Sequence, residues 1–131
     1  MKNSIKLLEV ILVMVTIILM IGCYKDKTVI ETTGSEITRS VSFTDDIIPI
    51  FNKSCSLSGC HSAGGISPDL SVANAITSLT KGNYLNINLP ENSMIYLWMT
   101  GKKSTPMPVG GINNDYNALV LAWIKQGAKN N

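Results

Sequence analysis

The stretch Cys55-Ser56-Leu57-Ser58-Gly59-Cys60-His61 decides how the rest of the chain is read. It places two thiols and an imidazole within seven residues, and His61 is the only histidine in the sequence. A pair of cysteines followed directly by histidine is the arrangement that attaches a c-type haem. Each thiol can add across one haem vinyl group to form a thioether, and the adjacent imidazole then serves as proximal iron ligand. The usual spacing has two residues between the cysteines. Here there are four, and Ser56, Ser58 and Gly59 are small enough to bulge away from a porphyrin edge.

Three other chemistries compete for the same residues. Cys55 and Cys60 could close a local disulfide, because a short loop brings Cα atoms within bonding range. They could belong to a zinc site, but structural zinc takes four Cys or His ligands, and residues 41–131 hold three. They could be unrelated thiols. The disulfide accounts for both cysteines of an exported protein and stays open, but it leaves the position of His61 unexplained. Haem accounts for all three residues and is carried forward.

Toward the N-terminus, Lys2 and Lys6 precede an apolar run from Val10 to Ile21 broken only by Thr16. A comfortable membrane span needs ~20 apolar residues, so this shorter run matches the core of an export signal. It ends in Leu19-Met20-Ile21-Gly22-Cys23. A small residue followed by cysteine there resembles the lipobox of bacterial lipoproteins, in which Cys23 would become the lipid-bearing first residue. Met20 stands where Leu is more usual. An uncleaved N-terminal anchor helix is the alternative. Either way the remainder is expected outside the cytoplasm and on a membrane; the lipobox reading makes it a membrane-anchored lipoprotein of the bacterial cell envelope, on the periplasmic side or the cell surface. With Cys23 given to lipid, Cys55 and Cys60 remain as a pair and no thiol is left over.

The expected organisation is a signal peptide over 1–22, a lipidated N-terminus and flexible tether over 23–40, and one domain over 41–131. The 109 residues after the signal suffice for one small domain. Seventeen residues, 24–40, are polar, Thr-rich and aperiodic. As a tether they would reach ~55–60 Å fully stretched and about 20–25 Å as a coil. Val29-Ile30 or Ile37 could instead pack against the domain. The whole chain carries 11 Lys and Arg against 9 Asp and Glu; losing Lys2, Lys6 and Glu9 leaves nine against eight. No basic stripe or aromatic–basic interleaving appears, which argues against nucleic acid as a partner.

Within the domain, Ser42-Phe43-Thr44-Asp45-Asp46 carries cap residues and first-turn acids, predicting a short helix from Thr44 or Asp45 to about Lys53. Pro49 is tolerable only near its start, and Phe51 is expected in the core against the cofactor edge. Ser62 to Pro68 is a loop of turn formers. A carbonyl there, with Pro68 a candidate, is needed to accept from the second nitrogen of His61 and fix its ring. Leu70 to Leu79 has near-helical apolar spacing, with Asp69 or Ser71 as cap. Gly82 to Leu89 alternates like a strand, but with no partner strand it reads as an extended loop with Leu85, Ile87 and Leu89 inward. Pro90-Glu91-Asn92-Ser93 opens a helix over Ser93–Thr100, closed by Gly101, with Met94, Leu97 and Trp98 on one face. Lys102 and Lys103 read as a solvated turn or a small basic rim. Asn113-Asn114-Asp115 caps a final helix to about Gln126, where Tyr116, Leu119, Val120, Trp123 and Ile124 form a core-facing stripe. Trp123 is expected to pack near the cofactor.

A second functional stretch is Thr105-Pro106-Met107-Pro108-Val109-Gly110-Gly111. A haem iron held by His on one side accepts Met on the other, which raises its potential. Flanking prolines fix φ on both sides of Met107, so a rigid loop would present it. Met94 and Met99 are the competitors, on a predicted helix where methionine commonly fills core space.

Residues from about Phe43 to Ala128 resemble c-type cytochrome domains of the small class I kind, most closely the planctomycete-type group. The resemblance rests on Ile48-Pro49-Ile50-Phe51, the haem loop ending in Cys60-His61, Pro68-Asp69-Leu70, Pro90-Glu91-Asn92-Ser93, Met107-Pro108, and Ala122-Trp123-Ile124 before Gly127-Ala128. Longer haem loops of this kind occur among such proteins. The resemblance implies an all-α fold of three to five helices around one covalent haem c. It implies attachment at Cys55 and Cys60, axial ligation by His61 and Met107, and haem joined after export. Single electrons would pass between membrane or periplasmic redox proteins, with no small-molecule substrate and no catalytic residue. Two other functions stay open: a haem-based gas or redox sensor from which Met107 can leave, and a haem-free envelope lipoprotein with a Cys55–Cys60 disulfide.

Overall fold

The computed structural model describes residues 36–131, together with Lys6 and Met14. The expected signal peptide (those two residues apart), Cys23 and the tether up to residue 35 lie outside the described residues. The chain divides into two units, Met1–Ile30 and Glu31–Asn131, and the second carries everything below. No helix among the described residues is long and apolar enough to cross a membrane.

Regular structure among the described residues is helical, without a strand. Ser42 is extended and its hydroxyl accepts from Asp45 N at 3.1 Å, which starts a wide π-type turn, Phe43–Ile47. This runs straight into helix α1, Ile48–Ser54. The sequence predicts one continuous α-helix here. Pro49 has no N–H to donate to the carbonyl of Asp45, and Ile48 N reaches back to Phe43 O instead, one residue further than in an α-turn.

Helix α2, Ala75–Lys81, begins five residues later than the apolar spacing predicts. The Asp69 carboxylate takes Ser71 N at 2.9 Å, Ser71 Oγ at 2.6 Å and Asn74 Nδ2 at 2.8 Å, holding the chain in a turn first. A 3₁₀ turn, Pro90–Asn92, leads into α3, Met94–Met99. Its buried face is Ile95, Tyr96 and Met99, whereas Met94, Leu97 and Trp98 are only half-buried. In the loop before it, Leu85 packs on the core, but Ile87 and Leu89 are exposed. Asn86 causes this: its amide oxygen accepts from Leu89 N and its N–H donates to Ser93 Oγ, each at 2.9 Å, so the segment curls where the alternation predicts it straight.

Helix α4, Asn114–Lys125, is capped by Asn113, whose side chain accepts from Tyr116 N at 3.0 Å. Val120, Trp123 and Ile124 are fully buried on its inner face. Trp123 stacks on Phe43 at 5.1 Å between ring centroids, and Phe43 meets Phe51 edge-on at 6.4 Å. The Trp123 indole N–H is satisfied by Lys129 O at 2.9 Å. Burying one large apolar side chain is worth about 1.5–3 kcal/mol, so this stack is a substantial apolar anchor of the unit. Residues before it are also held: Gln126 donates to Arg39 O and accepts from Val41 N, each at 2.9 Å, and Ile37 packs on the core.

Candidate functional site

The end of α1 delivers Cys55, whose N–H still bonds Phe51 O at 2.9 Å. The loop that follows closes on its own backbone. Cys60 N donates to Leu57 O at 2.9 Å and His61 N donates to Cys55 O at 3.1 Å, while Gly59 takes φ +78° to turn the chain. The next segment folds back on this loop: Ile66 N reaches Cys60 O and Leu70 N reaches His61 O, each at 2.7 Å. Gly65 makes the return possible, because a Cβ there would stand 2.3 Å from the Cys60 carbonyl oxygen.

This return brings two carbonyls to His61. Its Nδ1 lies 3.0 Å from Ile66 O and 3.1 Å from Pro68 O. Both partners only accept, so Nδ1 carries the proton, and Nε2 is the nitrogen with a lone pair for a metal. Pro68, the residue named from sequence, is one of the two acceptors, and Ile66 was missed. Nothing in the pattern Gly64-Gly65-Ile66 marks which carbonyl of a turn faces inward.

Two cavities, of about 320 and 360 Å³, open beside this loop, and Cys55, His61, Ile66 and Met107 line both. The first is otherwise walled mainly by apolar side chains, including Phe51, Leu70, Ile95 and Trp98. Cys60 lines the second. A mostly apolar space of this order, with a few convergent polar groups, is the common form of a small-molecule or cofactor site. Cys55 and Cys60 are free thiols. Burial, and then the neighbouring Cys60, push the Cys55 thiol up to about 11, so it is protonated at neutral pH.

Met107 comes to the cavities on a loop anchored to α3, with its N–H on Trp98 O at 3.1 Å. Of its competitors, Met99 lines the first cavity but is 4% exposed within the core cluster, and Met94 lines neither. Trp123 lines neither cavity; it is committed to the Phe43 stack, and the cavity tryptophan is Trp98. Tyr84 also lines the first cavity, its hydroxyl 3.4 Å from Ser67 Oγ. The available signal for Tyr84 was Gly82, where a Cβ would lie 2.3 Å from the Tyr84 ring.

The residues present fit a covalent haem. Two thiols at one loop, an imidazole whose Nδ1 faces two carbonyls, and a thioether all border the second cavity. They do not fit zinc, since among the described residues no three His, Cys, Asp or Glu side chains converge. Comparison with family models, with curated proteins and with solved structures gives no match.

Proposed function

We propose that this chain is a monohaem c-type cytochrome lipoprotein that carries single electrons between redox proteins at a membrane. The observation carrying this reading is the pair of carbonyls on His61 Nδ1 beside a space that Met107 also lines. A bare surface histidine has no need of such a fixed ring, whereas a metal-binding one does.

Bound there, haem supplies a one-electron couple at its iron. The roles of the chain follow from the residues around the space. Cys55 and Cys60 would hold the porphyrin through thioethers. His61 would ligate through Nε2, its basicity raised by the bonds from Nδ1 to Ile66 O and Pro68 O. Met107 would hold the iron through its thioether, a soft donor that would raise the potential. Phe51, Leu70 and Ile95 exclude water from the inner wall, which also raises the potential by disfavouring the more charged oxidised state. The proposed function involves no chemistry on a substrate, because it commits both thiols and His61 to holding the haem. Cys23 would keep the unit at the membrane surface.

The test is full-length protein matured in a host with haem-attachment machinery. The expected result is a mass increase of one haem that survives denaturation, with a low-spin visible spectrum. Colourless protein with a Cys55–Cys60 disulfide would sink the reading.

A further inference from the structure

Asn117 is a buried polar side chain that the proposed function does not use. It is 2% exposed, on the first turns of α4, and its amide oxygen is buried with no partner. Its Nδ2 donates to Met99 O at 3.5 Å, a long bond to the last residue of α3. A buried amide left half-satisfied costs about 1–3 kcal/mol, and an apolar side chain of the same size would avoid that cost.

What the amide touches gives it a part to play. The end of α3 is where the Met107 loop both leaves and returns. The Trp98 carbonyl accepts from Gly101 N and from Met107 N, each at 3.1 Å, and Lys102 N closes on Leu97 O at 2.9 Å. Gly101 takes φ +71° and lies under Pro106, whose Cβ would stand 3.5 Å from a Cβ at that glycine. The neighbouring Met99 carbonyl is the one that Asn117 holds. One buried amide therefore ties α4 to the helix end from which Met107 is hung.

We propose that Asn117 is a positioning residue that fixes the Met107 loop, acting through the C-terminal turn of α3. The inference rests on the haem reading above. Breaking the tie should let Met107 leave the iron more readily, with the haem still attached.

The experiment uses full-length holoprotein and titrates exogenous imidazole, which competes with Met107 for the iron. Asn117→Leu, and Asn117→Ala in case leucine overfills the site, should each bind imidazole about three- to tenfold more tightly than wild type, the range a single neutral hydrogen bond supports. The sulfur-to-iron absorption band should weaken in parallel. Val41→Ala, in the segment before the first turn whose N–H bonds Gln126 just past the opposite end of α4, serves as the stability control: its melting temperature should fall and its imidazole affinity should not change. Imidazole affinity within twofold of wild type in both Asn117 variants, with an unchanged band, would overturn the positioning role. Wild-type protein without haem would instead overturn the haem reading, and the mass spectrum separates the two failures.

Discussion

The two sides of this small domain use the same kinds of residue to opposite ends. On one side, the turn before α1 packs against both α1 and α4, and Ile47, Val120, Trp123 and Ile124 are all at 0% exposure. On the other, the loops around residues 55–68 and 101–112 leave Leu57 at 46%, Ile66 at 62% and Val109 at 80%. These three border the second cavity. The first side is finished by protein alone, through aromatic stacking and closely fitted helices. The second is ordered by backbone hydrogen bonds that arrange apolar groups around a space. Apolar side chains held rigidly about a space gain little until something fills it. The difference is what the proposed function requires, since a group bound there would supply the stabilisation that the loop side lacks.

The largest effect should come from His61→Ala. In matured protein it should abolish the low-spin spectrum, while Trp123→Ala should leave the spectrum in place. Conversely, Trp123→Ala should lower unfolding free energy by about 3–5 kcal/mol in a denaturant melt, the usual cost of deleting a large core aromatic. If the tryptophan variant lost its spectrum without unfolding, the division into a packed side and a cofactor side would break.

Protein prepared without haem tests the same division as a whole. Hydrogen exchange should be slow at amides in α4 and fast through residues 55–70, since the loop side lacks its filler. Uniform protection would mean the protein alone completes both sides. A narrower probe is Met107→Ala, which should leave haem attached and lower the potential. An unchanged potential would move the distal role elsewhere, with Met99, which also lines the first cavity, next in line.

Gly65→Ala acts on the backbone that links the two sides of the His61 loop. Its Cβ would sit 2.3 Å from Cys60 O and 3.0 Å from Ser62 O, both main-chain atoms that cannot rotate away. A cost of about 1–3 kcal/mol is expected, as for other forced overpacking. The effect should appear in the haem spectrum as well as in the melt, because the same return bond positions Ile66 O on His61 Nδ1.

The legibility of the sequence follows the same line. The cap at Ser42, the start of α4 at Asn113 and its buried stripe were readable, because each depends on residues within one or two turns. The Pro68 carbonyl as a partner of His61 was readable for the same reason, because it lies only seven residues away. What the pattern hid is tertiary. Trp98 and Trp123 have similar local settings, and only the position of Phe43 determines which one is taken into the stack. Ile87 and Leu89 alternate like inward residues, yet a single Asn86 side-chain bond curls them outward. The late start of α2 has the same origin, in the three bonds Asp69 accepts.

The smallest effect belongs to the edge of the packed side. Arg39 meets Asp46 through two hydrogen bonds of 2.7 and 2.8 Å, and the guanidinium holds the Asp46 carboxyl below its ordinary value of 3.8, helped by Ser42 N–H and opposed by slight burial. A carboxylate with a depressed folded-state value adds stability above the unfolded value and loses it as pH falls through the folded one. Wild type should therefore be slightly more stable than Arg39→Ala at about pH 7, and the gap should close as pH falls through the depressed folded-state value of Asp46. Because Arg39 is exposed, salt should also narrow the gap. The haem spectrum should be the same in both proteins, since this pair touches only the side that protein completes by itself. A spectral change on removing Arg39 would show that the two sides are coupled through the start of α1, and the comparison would have to be redrawn around that helix.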